Sequence, residues 1–239
     1  MISTAYRQSS LRDAKKERRD PENRLYWRKP VQRLDAEAIR DAMLSVSGSL
    51  NDKMFGTPVP VRPDVHGQIV VGVDKTEGDN KMPVEVSLKG EEFRRSVYIQ
   101  VRRSRPLAML HAFDAPVMEV NCERRSSSTV APQALMLMNS DFVLDQSLRF
   151  AKRLVKDAGD DRASQITRAW QVAFNRAPSA SELTGALAFL SRQAEQLSAV
   201  VEKKDDKKSK APAKPAPEVQ ALANLCQALL SANEFLYVD

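Results

Sequence analysis

From Ala131 onward the chain has little freedom in how it can fold. Five successive runs place apolar residues at intervals of three and four, the spacing that lines one face of an α-helix. Ala131–Met138 is short and apolar, with Pro132 where a first helical turn accepts it. Ser140–Lys156 carries Val143, Leu144, Leu148, Ala151, Leu154 and Val155. Ser140 is a candidate N-cap there, and Asp141 puts negative charge in the first turn, where it suits the helix dipole. Asp161–Asn175 carries Ile166, Ala169, Trp170, Ala173 and Phe174. Ser179 followed three residues later by Glu182 is a capping box, and the helix it starts runs through Leu183, Leu187, Leu190 and Leu197 to about Val201. Glu218–Asn233 has Val219, Leu222, Leu225, Cys226, Leu229 and Leu230 on one side. Phe235, Leu236 and Tyr237 then read as packed residues.

Upstream, Leu34–Leu50 is a further helix. Leu34, Ala38, Ile39, Ala42, Met43 and Val46 form its apolar face, Arg33, Asp35, Glu37, Arg40 and Asp41 take the other side, and Gly48 ends it. The texture then changes. Thr57–Pro63 alternates prolines with valines and is extended. Gln68–Val73 is rich in β-branched residues, Lys75–Lys81 is a loop, and Val84–Leu88 and Arg95–Arg103 alternate apolar with polar. These predict two or three short antiparallel strands. The expected fold is therefore mainly α: a helical bundle with a small antiparallel β-sheet insertion at about residues 57–103. Residues 34–239 form one unit, onto which a basic N-terminal segment, residues 1–33, docks through Leu25, Tyr26 and Trp27. Residues 202–217, EKKDDKKSKAPAKPAP, hold no large apolar side chain and read as a disordered, solvated loop between two helices.

The 239 residues, 42% hydrophobic and 28% charged, suffice for a real core without disulfide or metal staples. No apolar run approaches the ~20 residues of a membrane span. The first residues lack the apolar stretch of a secretory signal. A net charge of +6 invites a nucleic-acid reading, but part of it lies in Lys15–Arg19 and Lys203–Lys214, and no recognition fold or stacking motif accompanies it. The two cysteines, Cys122 and Cys226, make no disulfide framework, and with His66 and His111 they show no metal-ligand spacing. Cys226 sits on an apolar helical stripe and reads as a core residue. ALMLM at 134–138 likewise reads as core packing.

The densest chemistry lies between Phe93 and Val143. Arg102, Arg103 and Arg105 precede Pro106; His111, Asp114, Cys122, Arg124 and Arg125 follow it. Guanidinium groups present planar paired donors that suit carboxylate, sulfate or phosphate, so these residues form a candidate anion or partner patch. The same arginines can instead pair with Glu91, Glu92, Asp114, Glu119 and Glu123 and brace loop against sheet. A catalytic reading takes Cys122 as nucleophile with His111 and Asp114 as base and orienting carboxylate, but no protease-type flank surrounds Cys122. Ser126–Ser128 has no GxSxG or SxxK context.

Three stretches, DPENRLYWRKPVQRLDAEAIRDAMLSVSG, EEFRRSVYIQVRRSRPLAMLHAFDAPVMEVNCERRSSSTVAPQALMLMNSDFV and LCQALLSANEFLYVD, resemble the planctomycete-specific domain of unknown function number fifteen-fifty-three. The resemblance spans most of the chain and is weakest over the Lys/Ala/Pro-rich stretch. It implies the C-terminal region of a large extracytoplasmic bacterial protein that carries a cytochrome-c-like domain. Haem is then expected only in a separate N-terminal domain, with no cofactor in this chain. It implies no catalytic residue. The expectation is a non-catalytic binding or scaffold module whose partners are the rest of its parent protein and an acidic glycan or protein. A hydrolytic or redox-coupled enzyme domain and a non-specific nucleic-acid binder are the alternatives.

Overall fold

The computed structural model describes residues 3–4, 7–73, 87–116, 125, 127–202 and 215–238. In chain order the elements are α1 (Ala14–Arg19), β1 (Gln32–Arg33), α2 (Ala36–Ser47), β2 (Val61–Pro63), β3 (Ile69–Val71), α3 (Ala108–Ala112), α4 (Ala131–Asn139), α5 (Asp141–Ala158), α6 (Arg162–Phe174), α7 (Ala180–Glu202), α8 (Pro217–Leu230), α9 (Asn233–Leu236) and β4 (Tyr237–Val238). Two single-turn 3₁₀ segments, Glu91–Phe93 and Ser96–Tyr98, lie between β3 and α3. The fold is mainly α with a small antiparallel β insertion.

The helices follow the apolar periodicity. α5 buries Val143, Gln146, Ser147, Phe150, Ala151 and Leu154, a stripe wide enough to meet α2, α4, α6 and α8. α8 lies between α5 and α7 and buries Leu222, Leu225, Cys226, Leu229 and Leu230. Burial in that apolar setting pushes the Cys226 thiol well above its ordinary range and leaves it a space-filling residue. The caps form as their residue types demand. Ser179 donates its N–H to Glu182 Oε2 at 2.7 Å, and the Glu182 N–H returns to Ser179 Oγ at 3.3 Å. Asp161 accepts the Ser164 N–H at 2.9 Å. Ser140 holds the N-cap position of α5 without a side-chain cap bond, because the same residue ends α4 and donates its own N–H to the Met136 carbonyl at 3.0 Å. Gly48 ends α2 at φ 75°, a left-handed turn that suits glycine.

Phe235 and Leu236 are buried, and β4 pairs antiparallel with β1, Gln32 opposite Val238 and Arg33 opposite Tyr237. α7 stops at Glu202 and α8 starts at Pro217, while residues 203–214 of the Lys/Ala/Pro-rich stretch lie outside the described residues. α4 buries Gln133 and Leu137 but exposes Leu135 and Met138, so the ALMLM run is core on one side only. In the N-terminal segment, Leu25 and Tyr26 are exposed rather than anchors. That segment folds on a polar hub instead: the Asp20 carboxylate accepts the N–H groups of Arg24 and Leu25 at 2.9 and 2.7 Å, and its carbonyl accepts Trp27 Nε1 at 2.9 Å.

The insertion departs furthest from its alternating pattern. β2 and β3 pair as expected, Val61 opposite Val71. Val59, Val61 and Ile99 form a small second core with Ile69, Val71, Leu88, Tyr98 and Leu107 around it. Arg95–Arg103, however, is not a strand. Asp41 on α2 captures Ser96 through both its N–H and its hydroxyl, each at 2.7 Å, and the chain winds into a 3₁₀ turn there. Only one point of ladder survives, where the Val59 N–H reaches the Tyr98 carbonyl and the Gln100 N–H returns to Val59, both at 2.8 Å. Val97 and Val101 consequently face solvent while Ile99 is buried. Most of the Val84–Leu88 run lies outside the described residues.

Backbone that forgoes a ladder needs other donors, and two buried arginines supply them. Arg40, placed by its pattern on the polar side of α2, is 1% exposed and points inward. Its guanidinium donates to the carbonyls of Arg94 and Glu92 at 2.8 and 2.7 Å and to Ser96 Oγ at 3.3 Å, and lies over the Phe142 ring. Burial pushes Arg40 down to about 10, the nearby Asp41 opposing, so it remains cationic at neutral pH. Arg94, also 1% exposed, donates to the carbonyls of Lys53, Thr57 and Phe55 and to Glu91 Oε2, with the Tyr98 ring 4.1 Å away. Lysine has neither the fork nor the reach to satisfy all of these acceptors. Arg94→Lys should lower the unfolding free energy by about 2–4 kcal/mol in urea titrations. It should also speed hydrogen exchange at the amides of Val59 and Gln100 before it affects α5.

Candidate functional site

A third arginine builds the joint between α2 and the chain after α3. Arg33, in β1 just ahead of α2, has a side chain only 4% exposed. It donates to the Ser128 and Phe113 carbonyls and to Asp114 Oδ2 at 2.8 Å, with the Phe113 ring beneath it. Asp114 adopts φ 61°, which turns its carboxylate toward Ser128. It accepts the Ser128 N–H at 2.7 Å and the Ser128 hydroxyl at 2.8 and 2.9 Å on its two oxygens. Gln133 Nε2 adds a bond to the Ser128 carbonyl at 3.1 Å. The Ser128 N–H and the Arg33 guanidinium hold the Asp114 carboxyl below its ordinary range, against the opposing effect of burial. Such a carboxylate is a poor proton acceptor and a good brace.

Arg125 caps the same end of α2 from outside. Its Nη1 lies 2.7 Å from Glu37 Oε2 and 3.5 Å from Asp35 Oδ2. Burial raises and the Arg125 bond lowers the Glu37 carboxyl, and the net shift is downward. Asp114 and Arg125 are thus brought to one place, the start of α2, each already engaged with an opposite charge.

The remaining candidates are placed differently. His111 is exposed in the last turn of α3, and its ring makes no hydrogen bond among the described residues. None of the bonds to the Asp114 carboxylate comes from it. Cys122 and Arg124 lie outside the described residues. Arg102, Arg103 and Arg105 occupy the turn that leads from the insertion to α3, closed by the Arg105 N–H to the Arg102 carbonyl at 3.0 Å. Arg102 is half-buried and leans on Gln100 Oε1 at 3.3 Å. Arg103 and Arg105 are exposed, and among the described residues neither has a carboxylate within ion-pair distance.

The braces Arg33, Arg40 and Arg94 are the residues that sequence reasoning missed as a set. Arg40 left a trace, because it shares a helical stripe with Ala36, Met43 and Ser47 at intervals of four, three and four. Arg33 and Arg94 left none, since their acceptors are carbonyls distant in sequence. Among the described residues no group of three His, Cys, Asp or Glu side chains is gathered as a metal site. The recess of about 490 Å³ between α6, α7 and α8 is lined by Arg162, Glu195, Ser198 and Glu218, and contains none of the candidates. No helix of the described residues is long and apolar enough to cross a membrane.

The model of a family described as PSD1, protein of unknown function (DUF1553), matches residues 1–190. No curated protein and no solved structure matches the chain.

The Asp114 brace has a pH signature. Its folded carboxyl lies below the unfolded value, so the stabilisation is complete above the ordinary carboxylate range and is lost as pH falls through the folded value. Asp114→Asn should lower the urea midpoint at pH 7, and its deficit relative to the unaltered chain should shrink as the pH is taken down to about 3.

Proposed function

The chain belongs to the PSD1 family of proteins of unknown function (DUF1553), and from that premise we propose that it is a non-catalytic binding module that docks an acidic partner through the turn carrying Arg102, Arg103 and Arg105. One observation carries the reading. Arg103 and Arg105 are presented to solvent without carboxylate partners among the described residues, on an insertion that buried Arg40 ties to α2 and buried Arg94 ties to its own loop. A guanidinium whose platform is ordered in advance loses less entropy on binding an anion than one on a flexible tail. The acid–base alternative is weakened by the same geometry, since the Asp114 carboxylate is spent on Arg33 and Ser128. The partner classes that fit are an acidic glycan or an acidic protein surface. Its resemblance to extracytoplasmic proteins supports a place outside the cytoplasm, within a larger protein.

The test uses two soluble acidic probes, heparin and poly-glutamate, with binding measured by calorimetry on the full chain. Replacing Arg102, Arg103 and Arg105 together by alanine should weaken binding about tenfold or more, since charge-assisted hydrogen bonds are lost. Thermal unfolding should change little, because among the described residues the only side-chain bond from these three arginines is that of Arg102 to Gln100 Oε1. Unchanged affinity for both probes would sink the proposal.

A further inference from the structure

The insertion exposes more than arginines. Its loop between α2 and β2 carries Met54, 67% exposed, and Phe55, 76% exposed, at its tip. Later in the insertion, Val97 and Val101 are 72% and 65% exposed. Burial is the ordinary fate of such side chains, and several of them together on one small unit mark an interaction surface.

The tip is held rather than loose. Phe55 sits at φ 60° and Gly56 at φ 93°, left-handed conformations that a bulky aromatic residue seldom adopts. What over-determines them is Arg94, whose guanidinium takes the carbonyls of Lys53, Phe55 and Thr57, every second residue through the bend. The bend therefore turns its carbonyls inward and its Met and Phe side chains outward. Backbone strain kept in place by a dedicated buried side chain points to use of what it presents. The Tyr98 ring packs on the same guanidinium, which ties Val97 and the run to Val101 to the same support. Arg102, Arg103 and Arg105 follow directly, whereas Arg95 at the other end of that segment is paired with Asp41 at 3.4 Å.

Exposed apolar tips on the same insertion as Arg103 and Arg105, which have no carboxylate within ion-pair distance among the described residues, suit an occupant that is apolar and anionic together. Side chains this exposed stand proud of the described surface, and none of them lines the recess between α6, α7 and α8. Amphipathic peptides bind in grooves, whereas an interfacial membrane contact needs protruding apolar residues with basic residues behind them. We propose that the Met54–Phe55 tip and the Val97–Val101 segment insert into the headgroup zone of an anionic lipid bilayer, with Arg102, Arg103 and Arg105 on the lipid phosphates. This deepens the anion-docking reading and rests on it, naming a lipid surface as the acidic partner. The contact is peripheral: aromatic and thioether side chains enter the interface, and the arginine attraction is felt only within a Debye length of about 10 Å at 0.1 M salt.

Sedimentation of the full chain with vesicles tests it. Vesicles of phosphatidylcholine containing phosphatidylglycerol should carry the protein down, and vesicles of phosphatidylcholine alone should carry down far less. The double variant Met54→Ser, Phe55→Gly should partition about tenfold more weakly, from the loss of buried apolar area. Its affinity for heparin should stay unchanged. Glycine at 55 keeps the left-handed backbone, so folding is preserved and thermal unfolding confirms it. In Phe55→Trp, the tryptophan emission should shift to the blue on adding the anionic vesicles, relative to the unaltered chain. Binding of heparin and poly-glutamate without binding of anionic vesicles would overturn the lipid assignment and leave the anion-docking module standing. So would vesicle binding indifferent to the double variant, or poly-glutamate binding that the double variant abolishes, which would make the tip a protein-docking site. Binding of vesicles that survives loss of the three arginines would overturn the assignment of the arginines to lipid phosphates.

Discussion

A buried guanidinium on a largely apolar helix face organises this protein. Arg40 lies in the stripe through which α2 meets the body, and its charge makes sense there only because three acceptors converge on it from the insertion. Removing an ion from water costs several kcal/mol, and carbonyl oxygens return that cost only when they are held in place. The insertion and α2 are therefore mutually dependent: the arginine needs the carbonyls, and the carbonyls, lacking a ladder, need the arginine. Arg94 repeats the logic one layer out, its own carbonyl bound by Arg40 while its side chain gathers three more. Arg33 does the same at the other end of α2.

This arrangement explains how an irregular segment with a small core of Val59, Val61 and Ile99 can be rigid. A two-stranded ribbon of three residues a side is marginal by itself. Charge-assisted bonds from arginines already fixed by packing take over the role that further strands would play. Fixity then has a consequence at the surface. In the proposed docking, the turn with Arg102, Arg103 and Arg105 and the tip with Met54 and Phe55 would meet a partner already ordered, their ordering entropy met during folding.

The same geometry separates arginines that look alike in composition. Arg33, Arg40 and Arg94 are buried and spent on backbone; Arg125 is engaged with Glu37 and Asp35; Arg103 and Arg105 remain available to an external anion among the described residues. Asp114, which beside His111 suggests a catalytic pair, belongs instead to the bracing group through Arg33 and Ser128. Membership of a family of unknown function is compatible with a surface of this kind.

The helices from Ala131 to Leu230, and α2 with Gly48 at its end, were legible in the residues alone, because periodicity and capping are local: Ser179 with Glu182, Gly48 and the stripe of α5 each act within a turn or two of chain. The burial of Cys226 and the packing of Phe235 and Leu236 were legible for the same reason. The 95–103 segment was misread because alternation predicts a strand only where a ladder is available, and Asp41, distant in sequence, captures Ser96 first. Leu25 and Tyr26 were misread because hydrophobic identity carries no information on whether a core lies within reach. Which arginines would be braces and which would face solvent was decided by tertiary structure alone, since a guanidinium's role is set by the acceptors around it, and those come from carbonyls that sequence spacing does not reveal.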